Sequence, residues 1–243
     1  MRVVMVSPNF HPYLGGAERQ ALELSKALQA LGTEVTVLTR RVGNLAATEE
    51  AEGVRVVRLP VAGGGLVDSA AFMAGVFAWL VSHRGDYDAV HVHLAGSPAL
   101  AAAAAGRLLG KPVIVKLGGG RGIGELAASA RTPAGSAKLA ALARLKPLFA
   151  AVTPDLLDEL AAYRLGAAPA VVVPNGVDTA RYRPPAPGEK AALRAELGWP
   201  KGTAFLYVGR IAWEKRLPAF VKTFAEARFS LASDAFLVLA GQG

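Results

Sequence analysis

Short apolar runs rich in β-branched residues recur through the first 175 residues. They lie at 2–7, 34–39, 54–59, 89–93, 113–117, 150–153 and 171–173. Between most of them lie segments of helical composition and period, such as 17–31, 97–109 and 154–163. A strand that is apolar at nearly every position must be covered on both faces, and helical crossovers bring such strands into a parallel sheet. Residues 1–175 therefore read as one α/β domain with a doubly wound parallel sheet. A composition of 52% hydrophobic and 19% charged residues supplies such a core and excludes a disordered chain.

Pro174-Asn175-Gly176 breaks the alternation, and Pro184, Pro185 and Pro187 follow. Residues 176–200 read as a linker with a helix at 188–197. The pattern restarts at 201–243, with a strand at 204–208, a helix at 214–228 and a strand at 236–240. One β-α-β unit cannot bury both faces of a doubly wound sheet. The expectation is an N-terminal fragment of a longer two-domain protein, inactive by itself.

The chain has no cysteine, which excludes disulfides and thiolate metal sites and fits a reducing cytoplasm. The four histidines form no recognisable zinc pattern, so no metal is expected. The N-terminal apolar run is too short for a signal peptide. The most apolar window, 66–82, contains Asp68 and reads as a buried helix rather than a membrane span. A net charge of +8 suits nucleic acid, a membrane surface or phosphorylated ligands. Aromatic residues are only 7% and are not interleaved with the basic ones, so nucleic acid is not expected. Arg131, Lys138, Arg144 and Lys146 surround an Ala/Leu-rich segment at 134–149. That is either a basic amphipathic helix for weak association with anionic membranes or a domain helix with a solvated face.

Several segments carry candidate chemistry. The first strand leads through Gly15-Gly16 into a helix, either a bare-backbone approach for an anion or a flexible entry turn. Gly122, Gly124 and Ala127 match G-x-G-x-x-A but follow the wrong strand for a dinucleotide fingerprint. His91 and His93 alternate on one strand and share a face at its C-terminal end, as ligand-facing or as structural histidines. In Val208-Gly209-Arg210-Ile211-Ala212-Trp213-Glu214-Lys215, two cations bracket a loop between a strand and a helix. That makes a diphosphate clamp or a solvated surface.

Four segments, in order, resemble retaining nucleotide-sugar glycosyltransferases of family 4, with the glycosyltransferase-B fold. They are the stretches from Pro12 to Glu18, Ala89 to His93, Val173 to Asp178 and Val208 to Lys215. The resemblance implies two Rossmann-like lobes: an acceptor-binding lobe at 1–175 and the start of a nucleotide-sugar-binding lobe at 201–243. It places Gly15, Gly16, Arg210 and Lys215 at the donor diphosphate, and Gly241 and Gly243 in a glycine turn of the donor lobe. UDP- or GDP-sugar would be the donor, with no cofactor or metal, because cations neutralise the leaving diphosphate. Many members carry a histidine just after the fifth strand, where this chain has Leu117-Gly118-Gly119-Gly120. His93 is the nearest catalytic candidate by position. The family's paired glutamates, eight positions apart, have no counterpart here.

The expected function is sugar transfer to an envelope lipid, polysaccharide or small acceptor, in the cytoplasm or at the inner face of the membrane. The alternatives are a nucleotide-sugar epimerase of the same architecture and an inactive binding module.

Overall fold

The computed structural model describes every residue except Leu14, Ala62, Gly63, Arg121, Ile123 and residues 228–233. Leu14 of the first loop, Arg121 and Ile123 of the glycine run, and the expected helix end at Arg228 lie outside the described residues. The chain forms two compact units, Met1–Val177 and Asp178–Gly243.

The first unit begins with β1 (Arg2–Val6), α1 (Gly16–Ala30), β2 (Glu34–Arg40), β3 (Thr48–Ala51) and β4 (Val54–Leu59). Next come α2 (Gly65–Ser82), β5 (Ala89–His93), α3 (Ser97–Leu109) and β6 (Val113–Lys116). It ends with α4 (Glu125–Ala130), α5 (Pro133–Leu145), β7 (Leu148–Ala151), α6 (Asp155–Ala162) and β8 (Ala170–Val172). The eight strands form one sheet in the order β3-β4-β2-β1-β5-β6-β7-β8. All pairings are parallel except β3 with β4.

Side chains alternate across this sheet because the strand period is two. Met5, Val37 and Val56 join Ala21 and Leu22 of α1 in one apolar cluster. Val4, Val6, Leu38, Val90 and Val92 join residues of α2, α3 and α5 in the other. Ala99, Ala101, Ala102, Ala103 and Ala105 are all buried, and α3 packs between α2 and α5. The alanine run is thus the small-residue face of the central helix.

Three expectations for this first unit need correction. The sheet has an eighth strand: β3 is polar, Thr-Glu-Glu-Ala, and pairs antiparallel at the edge, where burial does not demand apolar residues. The apolar helix α2 is not a buried helix. Phe72, Val76 and Leu80 face the core, but Leu66 and Val67 are exposed. By length and composition α2 could cross a membrane. The basic segment 134–149 is not one helix. α5 starts at the Thr132 cap, whose hydroxyl accepts from Gly135 N–H at 3.1 Å, and ends at Lys146, which adopts a left-handed conformation. Pro147 follows, and Phe149 is buried in β7. A residue before proline is driven from the helical region. Lys138 turns inward, donating to Ala95 O at 3.0 Å and Ser129 Oγ at 2.5 Å.

The second unit contains α7 (Glu189–Glu196), β9 (Ala204–Val208), a 3-10 turn (Trp213–Lys215), α8 (Leu217–Ala227) and β10 (Phe236–Ala240). β9 and β10 pair parallel in a two-stranded sheet. The expected helix at 214–228 is split here, because Arg216 takes a left-handed conformation between the turn and α8.

Candidate functional site

Strand order reverses between β1 and β5. The chain builds outward through β2 and β4 on one side and through β6, β7 and β8 on the other. At such a switch point the loops leaving the carboxyl ends of neighbouring strands diverge and open a crevice. Here those loops carry the Gly15-Gly16 segment after β1 and the segment after His93 in β5.

Two arginines hold the first loop. Arg40 donates through Nε to Pro8 O at 2.9 Å and through Nη2 to Asn9 Oδ1 at 2.6 Å. Arg58 donates from Nη2 to His11 O at 2.7 Å and to Glu49 Oε1 at 2.5 Å. The loop ends at Gly15, the N-cap of α1, which has no side-chain cap. No side chain caps the first-turn N–H groups, and the Glu18 carboxylate of that turn folds back beside Gly15, 2.6 Å from where a Cβ would stand. A Cβ at Gly16 would meet nothing within 4 Å, so bare backbone borders open space there.

That space is a pocket of about 280 Å³, lined by Gly16, Gln20, His93, Lys116 and Asn175 among others. His93 is only 2% exposed, and its Nε2 has no hydrogen-bond partner. The His91 and His93 rings stack with centroids 4.8 Å apart, and His91 Nε2 is likewise unpartnered. Burial, aided by the nearby Lys116 charge, pushes His91 down to about 4. Burial, then His91 and Lys116, push His93 down to about 2. Both rings are therefore neutral near pH 7. Lys116 stands opposite His93 in the β5–β6 register and is half-buried, which lowers its pKa.

The rim is braced from outside. Glu125 Oε1 accepts from Gly118 N–H at 2.7 Å and Ala95 N–H at 3.4 Å. Leu94, directly after His93, is held at φ +73° and donates its N–H to Lys116 O at 3.0 Å. A side chain other than glycine is strained in that region, and such strain clusters at functional sites.

Gly16 and His93 thus meet in one pocket, with Gly15 one residue outside it as the cap. The other expected site residues lie in the second unit. Arg210 follows β9, and its carbonyl accepts from Tyr207 Oη at 2.9 Å. Lys215 closes the 3-10 turn and is exposed. Gly241 and Gly243 follow β10 and run beside the segment after β9, where Gly209 N–H donates to Ala240 O and Ile211 N–H to Gln242 O. A Cβ at Gly241 would strike Gly209 O, and one at Gly243 would strike Ile211 O. Their glycine requirement is one of close backbone approach.

The second unit also holds a larger cavity, about 750 Å³, between α7 and β9. Two of its cations are already engaged. Arg183 forks onto Glu189 at 2.9 and 3.1 Å, and Arg194 donates to the carbonyls of Pro200 and Gly202. The smaller pocket has the unpartnered groups and the switch-point position. Among the described residues no group of three or more His, Cys, Asp or Glu could hold a metal ion.

Lys116, Gln20 and Glu125 were not singled out from sequence. A lysine ending the otherwise apolar run Val113–Lys116 is the one available signal, because a buried parallel strand accepts charge only near its ends.

The solved structures similar to this chain include sucrose-phosphate synthase from Thermosynechococcus elongatus, at TM-score 0.70 and 18% identity over 99% of this chain and 62% of that one. Anabaena HepE in complex with UDP matches at TM-score 0.72 and 17% identity, over 100% of this chain and 61% of that one. WaaG, a glycosyltransferase involved in lipopolysaccharide biosynthesis, matches at TM-score 0.68 and 17% identity, over 98% and 62%. The chain therefore spans about three fifths of the length of these neighbours. At such identities the likeness establishes the fold alone, a mixed α/β chain built on a large, mostly parallel sheet. No curated protein matches in sequence. The family model for Glycosyltransferase Family 4 matches residues 14–181, from the first loop through the last strand of the large sheet, and with this match the chain belongs to that family.

Proposed function

We propose that the protein takes part in retaining transfer of a sugar from a nucleotide diphosphate donor, UDP- or GDP-linked, to a glycosyl acceptor. The observation that carries this reading is the pocket at the β1/β5 switch point, where the uncapped start of α1, His93 and Lys116 converge. In this reading the first unit receives the acceptor and the second the nucleotide sugar. Gly15 and Gly16 offer backbone N–H groups to the donor diphosphate. Arg210 and Lys215 neutralise charge as it leaves, by hydrogen-bonding fork and by point charge. No resident metal or cofactor is required. His93, neutral and buried, is a hydrogen-bonding group beside the reacting sugar rather than a cation. The family match favours transfer over epimerisation.

UDP bound to the HepE structure supports a nucleotide donor here. An envelope lipid or polysaccharide acceptor is part of the same proposal, as is a cytoplasmic location at the inner membrane face. Exposed Arg131, Arg144 and Lys146 support weak attraction to anionic headgroups.

The test is incubation with UDP- and GDP-sugars, with and without a crude lipid extract. Nucleoside diphosphate released only when acceptor is present supports transfer. Interconversion of donor sugars without acceptor would overturn it in favour of epimerisation.

A further inference from the structure

Lys116 lines the pocket that carries the reading above but has no chemical part assigned in it, and its surroundings call for one. The ammonium sits half-buried at the end of β6, and burial is the one cause of its lowered pKa, with no carboxylate acting to raise it. None of the residues lining its pocket is acidic. The histidines beside it on β5 are neutral and cannot balance it. Glu125 is the nearby carboxylate at the rim, and its Oε1 is engaged by the N–H groups of Gly118 and Ala95. Glu18, on the first turn of α1, folds its carboxylate back beside Gly15 and does not line the pocket.

Every other polar group in the pocket also suits an oxyanion. The first-turn N–H groups of α1 lack a side-chain cap, and the helix dipole adds partial positive charge there. His93, nine-tenths buried, carries an unpartnered Nε2. Gln20 and Asn175 offer amide donors at the wall. A half-buried cation without a counter-ion bears part of the desolvation cost, and an anion held amid neutral donors would offset it.

We propose that Lys116 is an anion-binding residue and that this pocket is an oxyanion subsite. It receives a phosphate or carboxylate group of a substrate between the Lys116 ammonium, the start of α1 and His93. The anion belongs either to the donor diphosphate or to an anionic acceptor. The identity of the source rests on the transferase reading; the binding of the anion does not.

The test uses inorganic phosphate as probe, titrated into the 15N-labelled chain at constant ionic strength. Phosphate should shift the amides of Gly16 and Ala17 together with the Lys116 side-chain and His93 ring signals. Lys116→Met should weaken phosphate at least tenfold, and Lys116→Arg should restore most of the loss. Unchanged phosphate affinity in a folded Lys116→Met overturns the proposal. So does a wild-type titration that leaves the Lys116 and His93 signals still, which decides the matter even if the variant does not fold. UDP and glucose 6-phosphate form the arms for source. A loss confined to UDP assigns the subsite to the donor, and a loss confined to glucose 6-phosphate assigns it to an acceptor. If UDP does not bind the wild type but phosphate does at Lys116, the donor reading fails and this one stands.

Discussion

Arg58, on the sheet's outer strand β4, reaches the backbone carbonyl of His11 with a hydrogen bond of 2.7 Å. Its guanidinium is buried and also grips Glu49 on β3. The edge hairpin, which looks peripheral, is thereby tied to the loop that delivers Gly15 and Gly16.

Replacing Arg58 with Met should loosen that loop and strand a partly buried carboxylate. Removing one partner of a fully buried ion pair costs about 3–5 kcal/mol. Glu49 keeps some solvent, so the expected loss is nearer 2 kcal/mol, or several degrees in melting temperature. Thermal unfolding followed by circular dichroism measures it. A variant that melts with the wild type would mean the loop stands without Arg58.

Stability should fall as pH drops below neutrality. His91 and His93 are held neutral by burial, with folded pKa values of about 4 and about 2 against an ordinary value near 6.5. Between those limits the unfolded chain binds more protons, so acid favours unfolding. The slope approaches about 1.4 kcal/mol per pH unit for each such histidine. Glu49 adds to the trend at lower pH, because the Arg58 hydrogen bond depresses its pKa and that stabilisation disappears as the carboxylate protonates. Denaturant unfolding from pH 7.5 to 4.5 should show the decline, with a shallower one for His91→Gln. Identical slopes for the two proteins would exclude the histidine origin.

Arg210→Ala and Lys215→Ala should each weaken nucleoside diphosphate binding while leaving the nucleoside nearly unaffected. One charge-assisted contact is worth roughly 1.5–3 kcal/mol, or about one to two decades in affinity. Calorimetry with UDP, GDP and their nucleosides is the measurement. Equal losses for nucleoside and diphosphate would point to a structural role for both residues.

Binding to anionic vesicles should be weak and salt-sensitive. With Lys138 turned inward, only Arg131, Arg144 and Lys146 of the basic segment remain exposed, each worth about 1 kcal/mol near a charged surface. Co-sedimentation with anionic and neutral vesicles at low and high salt separates this from apolar attachment through the exposed side of α2. Salt-insensitive binding to both vesicle types would favour the latter.

The large sheet was legible because β1, β2, β4, β5 and β6 are written in near-continuous β-branched runs, which only a two-faced burial explains. β3 escaped because an edge strand with solvent on one side needs no such run. The apolar run at 150–153 marks β7 two residues late. Its start at Leu148 is set by pairing with Ile114, a long-range contact invisible in the local pattern. The end of α5 is legible in Pro147, which bars the helix from running on to Phe149. Of the site, the glycines and the histidine pair stood out through their strand-end positions. Lys116 did not, because one lysine after Val-Ile-Val looks like an ordinary strand terminus until the fold sets it against His93.

Gly118 follows β6 and lies close enough to Leu94 that a Cβ there would run into the Leu94 side chain. Leu94 is itself held in a left-handed conformation by its bond to Lys116 O. The two positions therefore form an epistatic pair. A side chain grafted at 118 requires the Leu94 Cδ2 methyl to turn away or Leu94 to be made smaller. The space that a side chain at 118 needs is thus set by the rotamer of Leu94, so a smaller residue at 94 widens what position 118 accepts.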